Sequence, residues 1–297
     1  SASRSAPDKG RIRTAAAVMV LVGAAVYANS FWGRFFFDDH QQIVQNGRVH
    51  QIWPPGQLLR NITERGMWPV ALLSFAINWQ ISGENEWSYH AFNLLVHLLA
   101  GLLLFDVVRR TLLSQPLRER FGAAAVPLAA AVGLLWLVHP LQTQAVTYIV
   151  QRAESLMGLF YLLTLYCAIR ALEAPRRWPW YLAAVTACAL GMGTKQVMAT
   201  APLMVIIYDA LFAPRPYGAM LRRRWGLYLA LAATWGILVA LYLHSPHLRS
   251  VGAATGISPY RYAISQFGVI AHYLRLAFWP NPLCLDYGWP VAEGLRQ

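Results

Sequence analysis

The segment TAAAVMVLVGAAVYANSFWGRFFFDDH, residues 14–40, joins a long apolar run to two adjacent carboxylates. Residues 14–31 are long enough, at about 1.5 Å of rise per helical residue, to approach the roughly 30 Å hydrocarbon core of a bilayer. Asp38 and Asp39 should therefore emerge at the far face of the membrane. Neighbouring carboxylates raise each other's proton affinity, so one of the pair could act as a general base. The alternative that these residues leave open is a solvated acidic loop.

The composition of the 297-residue chain indicates an integral membrane protein. The chain is 57% hydrophobic with a mean hydropathy of +0.38, which is too apolar for a soluble or a disordered protein. The formal charge of +12 comes from Lys and Arg residues that lie between the apolar runs and form no single patch, so nucleic acid is not an expected partner. Cys167, Cys188 and Cys284 lack metal-ligand spacing and imply neither a disulfide framework nor a zinc site.

Arginine-rich segments alternate with apolar runs and predict the topology. Residues 1–13 are basic and belong on the cytoplasmic side by the positive-inside tendency. Most other Lys and Arg residues reach the same side if seven runs cross the membrane and the short run 67–81 does not. Residues 260–280 either cross or lie along the outer interface. The predicted spans are residues 14–31, 89–113, 122–138, 155–172, 178–192, 197–212 and 225–244.

The predicted fold is therefore all-α, a polytopic membrane helical bundle with about seven to eight spans. We expect one transmembrane domain over residues 1–297. Residues 33–88 form its first external loop, which carries short interfacial helices, and residues 89–297 supply the remaining helices.

Four groups of polar residues reach the external face in this topology. Ionisable groups at the edge of a membrane bundle are costly unless they serve each other or a ligand, so their convergence indicates a site. For single residues, ordinary alternatives remain open: Arg152 could pair with Glu154, His97 could be a packing histidine, and Lys195 could extend to the interface. The four groups are Asp38 and Asp39; His90, Asn93 and His97; His139, Gln142, Gln144, Arg152 and Glu154; and Lys195 with Gln196.

Five motifs, in order from residue 35 to residue 290, give the chain a resemblance to a known family. They resemble the bacterial relatives of the transmembrane O-mannosyltransferases that target cadherins, which are GT-C glycosyltransferases similar in plan to protein O-mannosyltransferases. The resemblance implies a GT-C type of bundle in the bacterial inner (cytoplasmic) membrane, with a cytoplasmic N-terminus and a periplasmic active site. The motifs are FFFDDHQQIVQN (35–46), HAFNLLVHLLAG (90–101), HPLQTQAVTYIVQRAESL (139–156), GMGTKQVMATAPLMVIIYD (191–209) and RLAFWPNPLCLDYGWP (275–290).

The resemblance also implies a reaction, in which an inverting glycosyltransferase moves a sugar from a polyprenyl-phosphate carrier to a Ser or Thr hydroxyl of an acceptor protein. The family's acidic pair matches Asp38 and Asp39, of which Asp38 is the expected base. A departing phosphate needs cations, so Arg152 and Lys195 are the expected donor-phosphate-binding residues. We predict no metal site and no required cofactor, although the acidic pair could hold Mg²⁺ or Mn²⁺. The residues expected to position sugar or acceptor are His90, Asn93, His139, Gln144, Glu154, Gln196 and Asp286.

Departures from the family pattern leave other functions open. Relatives commonly have Arg-Pro where this chain has Trp68-Pro69, and Lys-Glu where it has Lys195-Gln196. They also continue into further membrane helices and a soluble tetratricopeptide-repeat domain, so this chain is expected to be the N-terminal part of a longer architecture. Its expected partners are membrane lipids, the lipid-linked sugar and the acceptor protein. The alternative functions are a catalytically inactive subunit that acts as a scaffold in a larger membrane complex, and a carrier of polyprenyl phosphates.

Overall fold

The computed structural model describes residues 9–53, 68–212, 216–244 and 257–292. Within these ranges the chain forms helices and no strand, which confirms the predicted all-α fold. The α-helices are α1 (Lys9–Val26), α2 (Pro69–Ser82), α3 (Trp87–Leu112), α4 (Gln115–Phe121), α5 (Ala125–Leu137), α6 (Thr143–Thr147), α7 (Arg152–Glu173), α8 (Trp178–Met192), α9 (Ala201–Phe212), α10 (Tyr217–Ala233), α11 (Trp235–His244) and α12 (Pro259–Phe278).

Five helical segments of the described chain are long and apolar enough to cross a membrane, which makes this a multi-pass membrane protein. The first begins at Lys9, before the predicted start at residue 14. α8 has only 15 residues, and the apolar segment Gln196–Phe212 is also short. The total of seven to eight spans therefore stays a prediction. The five segments are Lys9–Trp32, Trp87–Leu112, Gln115–Leu137, Ile149–Glu173 and Gly218–His244.

α2 and α12 differ from these five segments in length or in composition. α2 begins at Pro69, since proline suits the first turn of a helix, and has 14 residues. Its length of about 21 Å is short of a bilayer core, and whether this run spans stays a prediction, as it does for α8 and α9. α12 has 20 residues and begins after Ser258, whose hydroxyl caps the Arg261 amide. It is long enough to cross but too polar to be counted with the five.

α3 and α7 pack against each other at the centre of the bundle, with α5 and α1 beside α3 and α8 beside α7. Glycines let α1, α3 and α5 approach closely. A Cβ atom on Gly101 would lie 2.7 Å from Leu137 Cδ1, and one on Gly133 would lie 2.7 Å from Met19 Cε. Small residues at such contacts are a common means of packing membrane helices, because the association is driven by close van der Waals contact.

A buried ion pair joins α9 and α10. Arg224 donates to Asp209 Oδ1 over 2.8 Å and to the Ala168 carbonyl over 2.9 Å, while the Tyr228 hydroxyl donates to Asp209 Oδ2 over 2.6 Å. The helix extends beyond the predicted span, which begins at residue 225. Helix α10 starts at Tyr217, and Arg224 is buried within it.

Candidate active site

The acidic pair lies on a turn that is fixed to the segment just before α7. Asp39 is buried, and its carboxylate accepts hydrogen bonds from the Phe36 amide over 3.0 Å and from the Val150 amide over 2.7 Å. Phe37 has a φ of 48°, in the left-handed region that residues other than glycine rarely adopt. Asp38 lies between this strained residue and the anchored Asp39, so its backbone position is fixed from both sides.

The two carboxylates have different environments. Burial raises the pKa of Asp39 to about 6, against the lowering effect of the two amide donors and of His40. Asp38 is half-buried, and its amide donates to the Tyr148 hydroxyl oxygen over 2.9 Å. Burial also raises the pKa of Tyr148, so its phenol stays protonated at neutral pH. Asp38 is therefore the carboxylate of this pair that a substrate can reach.

A cavity of about 420 Å³, here called the larger cavity, lies between α3, α5 and the start of α7. Lys195 and Glu154 form an ion pair on its wall. His97 and Trp136 stack with their ring centroids 4.9 Å apart and supply an aromatic wall. The polar residues that complete the lining are Gln142, Gln144, Gln151 and Ser155.

A second cavity of about 290 Å³, here called the smaller cavity, adjoins the larger one. The two cavities share Leu141 and Gln144 in their linings. Tyr148 lines the smaller cavity and also contacts the Asp38 amide. The smaller cavity is therefore next to both the acidic turn and the cavity that contains Lys195. The rest of its wall comes from the segment 140–147, from α12 and from the segment after α12. The residues are Pro140, Thr143, Thr147, Tyr273, Leu283, Cys284, Leu285 and Tyr287.

Arg152 lines neither of these cavities, contrary to the expectation that it binds the donor phosphate. It is completely buried, and no carboxylate in the described part of the chain is within ion-pair distance of it. Glu154, which the sequence offered as an ion-pair partner for Arg152, pairs instead with Lys195. The guanidinium donates to Asn93 Oδ1 (2.6 Å), Asn78 Oδ1 (2.6 Å), the Tyr89 carbonyl (3.0 Å) and the Ser74 carbonyl (3.2 Å). The rings of Phe75 and Phe92 also lie 4.6 and 4.5 Å from its Cζ atom. Arg152 thus holds α2, α3 and α7 together.

His90 and Asn93 also connect helices and line neither cavity. His90 Nε2 lies 3.1 Å from the Gly33 carbonyl, which ties α3 to the segment before the acidic turn. Asn93 donates to the carbonyls of Val146 (3.2 Å) and Ile149 (3.4 Å). His97, which the sequence left open between packing and ligand roles, contacts the Leu137 carbonyl over 2.8 Å and also borders the larger cavity.

The other predicted positioning residues divide between the cavities and their surroundings. Gln144 and Glu154 line the larger cavity. His139 connects the end of α5 to α12 through its 3.1 Å contact with the Ala277 carbonyl. Gln196 and Asp286 are both exposed, and neither lines a cavity described above. The Asp286 carboxylate accepts a hydrogen bond from the Gly288 amide over 2.8 Å.

A comparison of the chain with known families decides its membership. A family model described as dolichyl-phosphate-mannose-protein mannosyltransferase matches residues 67–249. The chain belongs to this family. The resemblance to protein O-mannosyltransferases inferred from the motifs is thereby confirmed. The match includes every residue of the larger cavity and begins after the acidic turn at Asp38 and Asp39.

Curated relatives of this mannosyltransferase family member carry similar names. Protein O-mannosyl-transferase Tmtc1 of Drosophila melanogaster is 31% identical over 196 residues, and Protein O-mannosyl-transferase TMTC2 of Homo sapiens is 30% identical over 202 residues. Each alignment covers 63% of this chain but only 21% and 23% of the relatives, so the chain spans about a fifth of their length. No solved structure matches the chain.

A divalent cation at the acidic pair of this family member stays a prediction. Among the described residues there is no group of three or more His, Cys, Asp and Glu side chains that could hold a metal ion. Both oxygens of Asp39 already accept amide hydrogen bonds. A bound Mg²⁺ would therefore depend on Asp38, water and substrate oxygens, which is a coordination that Mg²⁺ tolerates well.

Two residues of the candidate site were not predicted individually from the sequence. Tyr148 joins the acidic turn to the smaller cavity, and Trp136 forms part of the aromatic wall. Tyr148 lies within the polar motif 139–156, which was a usable signal. Trp136 lies in an apolar helix, where nothing in the sequence separates a cavity-lining Trp from one that faces lipid.

Proposed function

We propose that this chain carries the catalytic centre of an inverting protein O-mannosyltransferase. The substrate class that we assign as donor is a polyprenyl-phosphate-linked mannose, in accord with the description of the family. The acceptor is a Ser or Thr hydroxyl of a protein, in accord with the names of the relatives. The reaction takes place on the external side of the membrane, which is the periplasmic side if the host is a bacterium.

One observation supports this proposal most directly. Asp38 itself lines neither cavity, but its amide contacts the hydroxyl of Tyr148 on the wall of the smaller cavity. Lys195, a cation, lines the larger cavity, and the two cavities share Leu141 and Gln144. A glycosyl transfer needs a proton acceptor on one side of the anomeric carbon and a cation near the leaving phosphate on the other. We assign these two roles, in that order, to Asp38 and Lys195.

The bond changes follow from this order. The acceptor hydroxyl oxygen attacks the anomeric carbon, while the bond from that carbon to the phosphate oxygen breaks and its electron pair leaves with the phosphate. Attack from the face opposite the phosphate inverts the anomeric configuration. Asp38 takes the hydroxyl proton during the attack and must be ionised to do so. Asp39, anchored on the Phe36 and Val150 amides, keeps Asp38 in position.

Lys195 stabilises the leaving group. The phosphate gains a negative charge as the bond breaks, so its attraction to a fixed cation is stronger in the transition state than in the bound donor. Glu154 holds the Lys195 ammonium group when no donor is present. Gln142, Gln144 and Gln151 offer amide donors and acceptors suited to sugar hydroxyls.

The experiment uses the purified chain with radiolabelled polyprenyl-phosphate mannose and protein acceptors rich in Ser and Thr. We expect the parent chain to transfer label and Asp38→Asn to lower the rate by about 100-fold or more, because the general base is lost. Glu84→Gln is the matched control, since Glu84 is an exposed carboxylate that lines neither the larger nor the smaller cavity. Analysis of the product by NMR should show inverted configuration.

Two results would contradict the proposal. An Asp38→Asn variant with undiminished transfer removes this residue from the mechanism. A parent chain that binds the donor but transfers nothing to any acceptor favours the alternative function, a catalytically inactive subunit acting as a scaffold in a larger membrane complex.

A further inference from the structure

A third cavity, of about 260 Å³, lies at the end of the bundle opposite the acidic turn. Its lining includes Leu172, near the last residue of α7, whereas the candidate active site surrounds the first turn of that helix. The 22 residues of α7 separate the two ends by about 33 Å. The lining of this basic cavity includes Arg177, Arg223 and Arg224, and its other residues are apolar, such as Met220.

Arg224 has an unused donor in this region. Its two terminal nitrogens bind Asp209 and the Ala168 carbonyl, but its Nε atom is buried and has no hydrogen-bond partner among the described residues. Buried polar atoms are nearly always hydrogen-bonded, so an orphaned donor needs an explanation. The atom is enclosed by the protein, so a ligand in the basic cavity would meet the guanidinium groups of Arg177 and Arg223 instead.

The other two arginines give the basic cavity an excess of positive charge. Arg177 is half-buried and Arg223 is exposed, and neither forms an ion pair with any carboxylate in the described ranges. The carboxylates packed nearby are already used, because Asp209 pairs with Arg224 and Glu173 pairs with Arg110. The cavity is thus suited to an anion.

Two tryptophans indicate the depth of this cavity in the membrane. Trp178 follows Arg177 directly and is 67% exposed, and Trp225 follows Arg224 and is 65% exposed. Exposed tryptophans at the ends of membrane helices favour the headgroup layer. The basic cavity therefore lies at the level of lipid phosphates, with an apolar wall that can accept the glycerol backbone and the first methylene groups of a lipid.

We propose that this cavity binds the phosphate group of an anionic membrane lipid. Guanidinium groups hold phosphate oxygens through paired hydrogen bonds as well as by charge, and basic pockets between membrane helices are a recognised type of site for anionic headgroups. The site is separate from the proposed donor site, so it does not depend on the mannosyltransferase activity.

The test is a titration of the purified chain, in a neutral detergent, with phosphatidylglycerol, followed by native mass spectrometry. Phosphatidylcholine is the neutral comparison, and inorganic phosphate is added as a competitor. We expect phosphatidylglycerol to bind more tightly than phosphatidylcholine. Arg177→Ala and Arg223→Ala should each weaken phosphatidylglycerol binding by about tenfold, as for one hydrogen bond to a charged group.

Arg222→Ala is the matched control, because Arg222 is exposed, adjacent to Arg223 and absent from the cavity lining. It should leave phosphatidylglycerol affinity unchanged. If Arg222→Ala and Arg223→Ala lose equal affinity for phosphatidylglycerol, the lipid responds only to general surface charge and the proposal is overturned. Displacement of the lipid by millimolar inorganic phosphate would assign the cavity to soluble phosphate instead. Melting of each variant without lipid checks its folding, and Arg223→Glu provides a second variant at an exposed position.

Discussion

Replacement of Arg152 by alanine tests whether this residue is structural or binds the donor. In the structure its guanidinium is fully buried and donates to five acceptor atoms. They belong to Ser74 (carbonyl and hydroxyl), Asn78, Tyr89 and Asn93. Arg152→Ala leaves these acceptors without their donor. We therefore expect the free energy of unfolding to fall and any loss of activity to follow from the loss of folded protein.

The magnitude follows from the number of contacts. Five hydrogen bonds at about 1 kcal/mol each set a gross loss of about 5 kcal/mol. Part of this loss is offset, because the Arg152 guanidinium is a buried charge with no carboxylate partner. In the variant, the folded chain no longer bears the desolvation cost of that charge. The net loss is about 2–4 kcal/mol, which corresponds to a melting temperature lower by about 4–8 °C for a chain of this size.

The buried cysteines provide the assay. Cys167 and Cys188 are free and buried, whereas Cys284 is exposed, so a thiol-reactive dye gains signal over a constant background when the bundle unfolds. Arg152→Lys keeps the charge but loses the planar arrangement of donors, and it should melt nearly as early as Arg152→Ala. An unchanged melting temperature together with a raised donor KM in Arg152→Ala would refute the structural role and restore Arg152 to the donor site.

Two further variants separate the roles of the site. Lys195→Ala removes a partly exposed ion pair with Glu154, so we expect the free energy of unfolding to fall by at most about 1 kcal/mol. The transfer rate should fall by about tenfold or more, because the cation near the leaving phosphate is lost. A loss of rate fully explained by a lower melting temperature would contradict this. Asp39→Asn tests the raised pKa of the Asp39 carboxyl, which is about 6. Because this value lies above the ordinary 3.8 of an aspartate, the folded chain binds more protons than the unfolded chain between pH 4 and 6. The contribution of the Asp39 carboxyl to the free energy of unfolding is therefore fully present below pH 4. It decreases as the pH rises to 6, by no more than about 3 kcal/mol. Asp39→Asn should flatten that part of the profile of melting temperature against pH, and an unchanged slope would assign it to another group.

The sequence predicted the class of fold, because this depends on hydropathy and charge along the chain. The apolar runs become helices, and the short run that includes Pro69 forms helix α2. Two of the expected polar residues, Glu154 and Lys195, pair near the first turn of α7. These features follow from local composition and from the alternation of basic segments.

The sequence did not predict which arginines are structural. Arg152 resembles a phosphate-binding residue in its motif, but its acceptors come from Ser74 and Tyr89, on two other helices. Arg224 belongs to a basic cluster that suggests a solvated loop, yet its partner Asp209 lies in the preceding helix. Such partners are set by helix packing, and a single sequence contains no direct record of which helix faces meet.

The ion pair between Glu154 and Lys195 gives the larger cavity a built-in competitor for anions. An incoming ligand must displace the Glu154 carboxylate before it can use the ammonium group, so a small anion such as chloride gains little on entry. A long-chain phosphate ester brings the additional free energy of its apolar contacts and can complete the exchange. In the proposed reaction, the same carboxylate returns to Lys195 after transfer and so favours departure of the spent carrier over its retention.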